Sequence, residues 1–257
     1  MNNIKAAKIL LENRLTNQKL DRLPEDIRPR NNEQSLAIQA NIAELNSENA
    51  QVAGWKCLLP LANGNIVVAP IFSNTVTRLN EGSEVFLVPD NEKARIEPEI
   101  TFILNKDIPA SATPYLETEI DDAIGQTHIA LELIQNRFSA TSEANFDEKL
   151  ADCLSNQGLF IGPEIDKKQA YVASTIDIAI TQNGVNLSYE GKHPNELPAL
   201  PIYWMINYMT QRGVSFKAGQ AIITGSYCGV VDLAFNQKTT IEYKGLGSFN
   251  VEFKATR

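Results

Sequence analysis

The sequence predicts an α+β fold, with a helical N-terminal region packed on a β-rich body. Three observations predict it. Apolar residues recur at helical spacing twice before residue 46, and short β-like runs dominate afterwards. Asn183-Gly184 sits between two alternating runs, where both residues accept positive φ, and so marks a hairpin. The 257 residues, 43% hydrophobic and 21% charged, suffice for a sizeable core without a disulfide or zinc staple. The helical region with the first strands is expected over 1–78 and the β-rich body over 79–257, as one compact unit.

In chain order, residues 3–16 form an amphipathic helix with Ile4, Ala7, Leu11 and Leu15 on one stripe. Residues 21–30, charged and carrying Pro24 and Pro29, are a connector. A second helix runs over 33–45, started by Asn31 or Asn32, with Leu36, Ala40 and Ala43 on its apolar face. Strands follow at 52–58, 66–72, 84–88 and 96–104. Residues 117–127 read as helical, 128–134 as a strand, 146–153 as a helix, and a strand lies near Leu159. Strands at 176–180 and 185–189 flank the hairpin turn. Ile202, Ile206 and Met209 define a helix over 201–212, with Gly213 just past its end. The last strands are 221–224, 239–243 and 248–253, the final two joined by Gly245-Leu246-Gly247.

Charge and rare residues narrow the function. With 23 Lys and Arg against 31 Asp and Glu, the net charge is −8, so no basic excess exists for nucleic acid or an anionic membrane. The longest apolar run, 66–72, is far short of a membrane span, and charges interrupt the first fifteen residues. A cytoplasmic protein is expected. Cys57, Cys153 and Cys228 are scattered without a C-x-x-C pattern and read as packing residues of a reducing compartment. Two histidines, His128 and His193, cannot build a His-rich zinc site, and both read as structural, His193 in a loop bordering the site. Abundant carboxylates make hard oxygen ligation of Mg or Mn the expected type for any metal.

The best local signal is Arg95-Ile96-Glu97-Pro98-Glu99-Ile100-Thr101-Phe102. At strand period Ile96, Ile100, Phe102 and Leu104 face one way, and Glu97, Glu99 and Thr101 the other. The two carboxylates then lie about 6–7 Å apart. Ionised together, they repel by roughly 2–3 kcal/mol at an effective dielectric near 20. A divalent cation between them reverses that sign; a solvated strand face is the other reading. Pro98 cannot donate to a ladder, which implies an edge strand or a bulge. Glu132 is the only charge in His128-Ile129-Ala130-Leu131-Glu132-Leu133-Ile134, and both exposure and function fit it.

These segments resemble the fumarylacetoacetate hydrolase superfamily, most of all its 2-keto-4-pentenoate hydratase and 4-oxalocrotonate decarboxylase branch. Arg-Ile-Glu-Pro-Glu-Ile is followed some thirty residues on by Ala-Leu-Glu-Leu. Gly54-Trp55-Lys56 is similar to the branch's Gly-x-Lys, and Asp152, Ser155 and Gly162 to its Asp-x-x-Ser…Gly run. Thr224-Gly225-Ser226 and Gly245-Leu246-Gly247-Ser248 follow in the same order. The resemblance spans about residues 33–254 and implies a mixed β-roll. It implies a metal, Mg or Mn, held by Glu97, Glu99 and Glu132. Lys56 would be the proton donor or orienting charge, and Ser155, Thr224, Gly225 and Ser226 would contact the substrate. The implied activity is that of a metal-dependent lyase, a hydratase or decarboxylase, on a small unsaturated 2-oxo acid in aromatic-compound catabolism. An acylpyruvate-type C–C bond hydrolase and a non-catalytic 2-oxo-acid-binding homologue are the alternatives. The resemblance also implies a homo-oligomer. The sequence departs from the branch in three places. Cys57-Leu58-Leu59-Pro60 replaces the usual continuation of Gly-x-Lys, residues 57–78 contain no acid, and Gln135 stands where an acid normally follows, with Arg137 kept.

Overall fold

The structure, a computed structural model, describes residues 2–79 and 83–256. Helix α1 (Asn2–Thr16) packs on α2 (Asn32–Asn46), with a 3-10 turn at Glu25–Ile27 between them. The Asn31 side chain caps α2 by accepting the Gln34 N–H at 3.0 Å, which satisfies one of the donors a helix start leaves unpaired.

The buried stripes differ from the expected ones. On α1 it is Ala6, Ala7 and Leu10, while Ile4 is 44% and Leu15 59% exposed. On α2 it is Ser35, Ile38, Gln39, Ile42 and Asn46, and Ala40 is exposed. Polar side chains enter this interface because they find backbone partners. Gln39 Nε2 donates to the carbonyls of Val68 and Leu150, and Ser35 Oγ to that of Asp147. Counting apolar residues alone therefore places the stripe wrongly.

The body then runs β1 (Val52–Leu58), β2 (Val67–Phe72), β3 (Val76–Arg78), β4 (Glu84–Leu87) and β5 (Ala94–Leu104). It continues α3 (Glu117–Ala123), β6 (Ile124–Ile134), α4 (Phe146–Ala151), β7 (Asn156–Ile165), α5 (Lys167–Val172), β8 (Thr175–Gln182) and β9 (Val185–Lys192). Last come α6 (Leu200–Thr210), β10 (Ala221–Ile223), β11 (Val231–Leu233), β12 (Lys238–Tyr243) and β13 (Gly247–Ala255). Residues 124–127, expected as helix, belong to β6, because Gln126 and Thr127 pair with Ile103 and Phe102 of β5. The short elements β3, α5 and β11 carry too little periodicity to be read from sequence. Asn183 and Gly184 take φ 50° and 78° in the hairpin turn, as their residue types require.

Among the described residues the strands form two sheets, one ordered β2-β1-β10-β5-β6-β7-β3 with β11 also on β5, the other β4-β13-β12-β8-β9. Pairing is mixed: β1–β10, β3–β7 and β4–β13 are parallel, the rest antiparallel. The second sheet covers β6 and β7. The Phe160 and Phe249 rings lie 5.5 Å apart, and Tyr243 Oη donates to the Ala130 carbonyl at 2.7 Å. This is the curled, mixed α+β architecture that the sequence predicts.

β5 is an interior strand, and Pro98 shows how. On one side β5 pairs with β6 without a break through Pro98. On the other, β11 pairs with Ala94–Ile96 and β10 with Thr101–Ile103. The missing Pro98 N–H falls in the gap between those two partners, so the strand is neither an edge nor bulged at that residue. No helix among the described residues is long and apolar enough to cross a membrane.

Candidate active site

The β5–β6 register sets Glu97 directly opposite Glu132, with Glu99 one step along the same face. One carboxylate oxygen from each of the three lies within 4.8 Å of the others. Glu132 is 0% and Glu99 2% exposed, which settles the sequence alternatives in favour of burial. Lys56 comes from β1, two strands away across β10, and its Nζ lies 2.7 and 2.8 Å from the two Glu132 oxygens. Gly54 makes this possible: a Cβ there would meet the Ala221 carbonyl oxygen at 2.5 Å, so only glycine lets β1 approach β10 this closely.

Two backbone-driven contacts complete the cluster. The Gly225 N–H donates to Glu99 Oε2 at 2.6 Å. Gly225 has φ 126°, and a Cβ would meet Pro194 at 2.6 Å and Leu58 at 2.7 Å. Asn156 Nδ2 donates to Glu132 Oε1 at 2.9 Å, while its Oδ1 is buried without a partner.

Three carboxylates thus face one ammonium in a desolvated site. Burial, then repulsion from Glu132, pushes the Glu97 carboxyl up to about 7 despite Lys56. Burial and the charges of Glu132 and Glu97 push Glu99 well above the carboxylate range. Burial alone would lower the Lys56 ammonium, but the charges of Glu132, Glu97 and Glu99 override it and raise it. These are the marks of an acidic cluster short of positive charge, and a divalent cation fits the donor set: three hard oxygens on one face of a strand pair.

The other sequence candidates separate. The Gly225 N–H is engaged by Glu99. Ser226 Oγ is turned to the carbonyls of Pro98 and Gly229, at 3.4 and 3.1 Å. Ser155 lies in a left-handed turn, Cys153 to Ser155, with φ 59°, 51° and 62°. Its carbonyl accepts the Gln135 N–H, and its neighbour Asn156, not Ser155, reaches Glu132. Arg137 and Asp152 hold this turn. Nε of Arg137 bonds both Asp152 carboxylate oxygens at 2.9 Å, and Nη1 and Nη2 bond the carbonyls of Asn156 and Asp152.

Thr224, next to Gly225, is buried with its hydroxyl beside His193. His193, 1% exposed, accepts the Asn195 N–H on Nδ1 at 3.1 Å. Burial lowers its pKa to about 4, so the ring is neutral near pH 7 and carries its proton on Nε2. Nε2 lies 3.3 Å from Thr224 Oγ1. The hydroxyl therefore accepts from His193 and keeps its own hydrogen to donate. Sequence reasoning missed Asn156 and gave His193 no role; the only signal for the latter was a histidine in the Gly-Lys-His-Pro loop. His128 Nδ1 lies 2.9 Å from the Gly162 carbonyl while its Nε2 is buried without a partner; Cys57 and Cys153 are buried and Cys228 half-buried.

No family model matches the chain. Among curated proteins it is similar to 4-oxalocrotonate decarboxylase from a Pseudomonas species, 24% identical over 176 residues, which is 67% of this chain and 65% of that protein. It is also similar to 2-oxo-hept-4-ene-1,7-dioate hydratase from Escherichia coli, 27% identical over 185 residues, 68% of this chain and 66% of that protein. Each match thus spans slightly under two thirds of the relative's length. Among solved structures, 4-oxalocrotonate decarboxylase from Pseudomonas putida G7, complexed with magnesium and adipate, superposes with a TM-score of 0.79 at 17% identity, covering 98% of this chain and 97% of that one. A fumarylacetoacetate hydrolase family protein from Yersinia pestis gives 0.53 at 16% identity, covering 80% and 94%. Sequence and fold agree in what the chain is similar to: its curated relatives are a decarboxylase and a hydratase, and its fold is that of fumarylacetoacetate hydrolase-like structures.

Proposed function

We propose that this chain is a metal-dependent lyase acting on a small unsaturated 2-oxo acid, with Mg or Mn held by Glu97, Glu99 and Glu132. The observation that carries the reading is the convergence of three buried carboxylates and the Lys56 ammonium at one point. The similarity to a decarboxylase crystallised with magnesium and to a hydratase supplies the reaction class. When bound, the cation supplies Lewis-acid charge to the substrate's carboxylate and 2-oxo oxygens.

The chain's own residues do the rest. Both hydration and decarboxylation of such an acid require a proton delivered to carbon. Once a cation holds the three glutamates ionised, Lys56 is the protonated group left at the cluster, and it serves as that donor. Asn156 orients Glu132, and Thr224, oriented by His193, donates its hydroxyl hydrogen to a substrate oxygen. Water addition needs a further group to take a proton from water. Residues 57–78 offer no acid, and the His193 Nε2 is committed to Thr224. Loss of carbon dioxide needs only the donor, so decarboxylation is the better served of the two steps. The same shortage of a base weighs against an acylpyruvate hydrolase.

The test is a screen of unsaturated 2-oxo acids and acylpyruvates with Mg and with Mn, products identified by mass. A metal-dependent loss of 44 mass units, about that of carbon dioxide, or gain of about 18, that of water, supports the lyase. Cleavage of acylpyruvates into two acids would support the hydrolase. Metal binding with no turnover would leave a binding protein.

A further inference from the structure

The two sheets differ in how their edges are protected. β2, at one edge of the larger sheet, is buried along its whole length, carries Pro70 and lies against α2 and α4. β9, at the edge of the smaller sheet, is eight residues long and contains neither a proline nor a bulge. Its register with β8 runs unbroken from Val185 opposite Gln182 to Lys192 opposite Thr175. The two-residue turn makes Gln182 and Val185 a hydrogen-bonded pair, so Val185, Leu187 and Tyr189 direct their main chain to β8. Asn186, Ser188 and Glu190 therefore point their N–H and C=O groups away from the sheet. Lys192, next in that series, shows the direction, because its N–H bonds the Tyr227 carbonyl at 2.9 Å. Among the described residues nothing bonds the outward main chain of Asn186, Ser188 or Glu190.

The side chains alternate as well. Asn186, Ser188 and Glu190 are exposed on the outer face. Leu187 and Tyr189 are half-buried against the core, and Val185 is 61% exposed. Val185 and Leu187 also line a cavity of about 330 Å³ with Ile180, Leu233 and Ala234. Unpaired main-chain groups beside half-covered apolar side chains are a template for a further strand.

We propose that the further strand is a second β9: two copies of this chain pair edge to edge, antiparallel, about a twofold axis at Ser188. The occupant follows from self-complementarity. The free groups lie at 186, 188 and 190, symmetric about Ser188, and no other register uses all three. Pairing Ser188 with Ser188 sets Asn186 of one copy opposite Glu190 of the other, and each such pair exchanges two main-chain hydrogen bonds. On the core face the same register sets Leu187 opposite Tyr189, an aliphatic–aromatic pair that covers what each copy leaves half-exposed. On the outer face the Asn186 amide donates to the Glu190 carboxylate. A register centred on Glu190 instead would oppose like charges, and would set Ser188 against Lys192, whose N–H is already engaged by Tyr227. The pairing joins two five-stranded sheets into one and stands independently of the lyase reading.

The test is sedimentation velocity of the full chain over a concentration series, with variants that leave the β8–β9 pairing intact. The parent chain should associate in even numbers of copies. Ser188→Pro removes an outward N–H and no bond to β8, so it should halve the mass of the assembly with far-UV circular dichroism unchanged. Asn186→Glu places a carboxylate opposite Glu190 at both symmetric positions and should raise the dissociation constant by about tenfold. Adding Glu190→Lys to that variant turns both repulsive pairs into ion pairs and should restore association. A monomeric parent chain, an assembly of unchanged mass in Ser188→Pro, or Asn186→Glu without effect or without rescue by Glu190→Lys would overturn the proposal. Should Ser188→Pro lose its fold, Asn186→Glu and its rescue decide alone, because both side chains are exposed.

Discussion

Two buried charge clusters hang from strands β6 and β7, and they are unbalanced in opposite senses. Around Glu132, three carboxylates meet one ammonium; around Asp152, two arginines meet one carboxylate. The other buried acids among the described residues are balanced. Glu148 is met by Arg22 and Arg28, and Asp90 by Lys19 and Arg95, cations whose far ends reach solvent. The difference separates structural ion pairs from sites. A balanced buried acid holds two segments together, as Glu148 ties the connector to α4. An unbalanced cluster is relieved by taking up protons or by a species of the opposite charge. The acidic cluster calls for a cation.

The largest effect expected is at the acidic cluster. Glu132→Gln removes one charge from the candidate ligand set and the partner of Lys56. Turnover should fall by more than the roughly 10–100-fold typical of groups behind the ligands. Chelation of the parent chain should abolish it, checked by product formation before and after Mg is restored. Full activity after exhaustive metal removal would break the comparison.

Next comes the basic cluster. Arg137→Met leaves Asp152 buried and unpaired and frees the turn before Asn156. It should cost about 3–5 kcal/mol in urea unfolding. Arg14→Met removes a cation that has no acid, and should cost under about 1 kcal/mol or stabilise. Equal losses in the two variants would show that Arg14 is balanced after all.

A pH series sharpens the contrast. Unfolded Glu97 ionises near 4.5, and in the folded chain its carboxyl is pushed up to about 7. The folded state thus holds the proton more tightly. That contribution is complete below pH 4.5 and is lost as pH rises through 7. Metal-free protein should lose on the order of 2–3 kcal/mol across this window from Glu97. Added Mg should remove the loss, because the cation competes with the proton for the same oxygens. Melting temperatures across the window, with and without Mg, check it.

The smallest effect is at Thr224. Thr224→Val should raise KM by roughly tenfold, the worth of one hydrogen bond of about 1–1.5 kcal/mol, with metal affinity unchanged. His193→Phe should act through the same hydroxyl, so the double variant should be no worse than the worse single one. Additive losses would give His193 a separate role.

Much of the acidic cluster was legible in the sequence. Glu97 and Glu99 alternate on a strand and Glu132 stands alone in an apolar run, but it was the family resemblance that joined the three. Gly54 and Lys56 were legible as a motif, though the reason for the glycine, a carbonyl at 2.5 Å from any Cβ, needed the register of β1 on β10. Asn156 was not legible, because a left-handed turn of three non-glycine residues, held by Arg137, decides where it points. The helix stripes were misread because Ser35 and Gln39 are buried by backbone hydrogen bonds that no hydropathy pattern records. Pro98 was read as an edge because the sequence does not show that two different strands divide one side of β5.

The most direct test of the central claim is equilibrium Mn(II) binding, followed by electron paramagnetic resonance, for the parent chain and Glu99→Gln. Glu99 takes no part in the Lys56–Glu132 ion pair, so its substitution leaves both partners of that pair in place. One tight Mn(II) per parent chain, lost or weakened by more than about tenfold in Glu99→Gln, is the predicted result. No stoichiometric Mn(II), or the same affinity in both proteins, would contradict it.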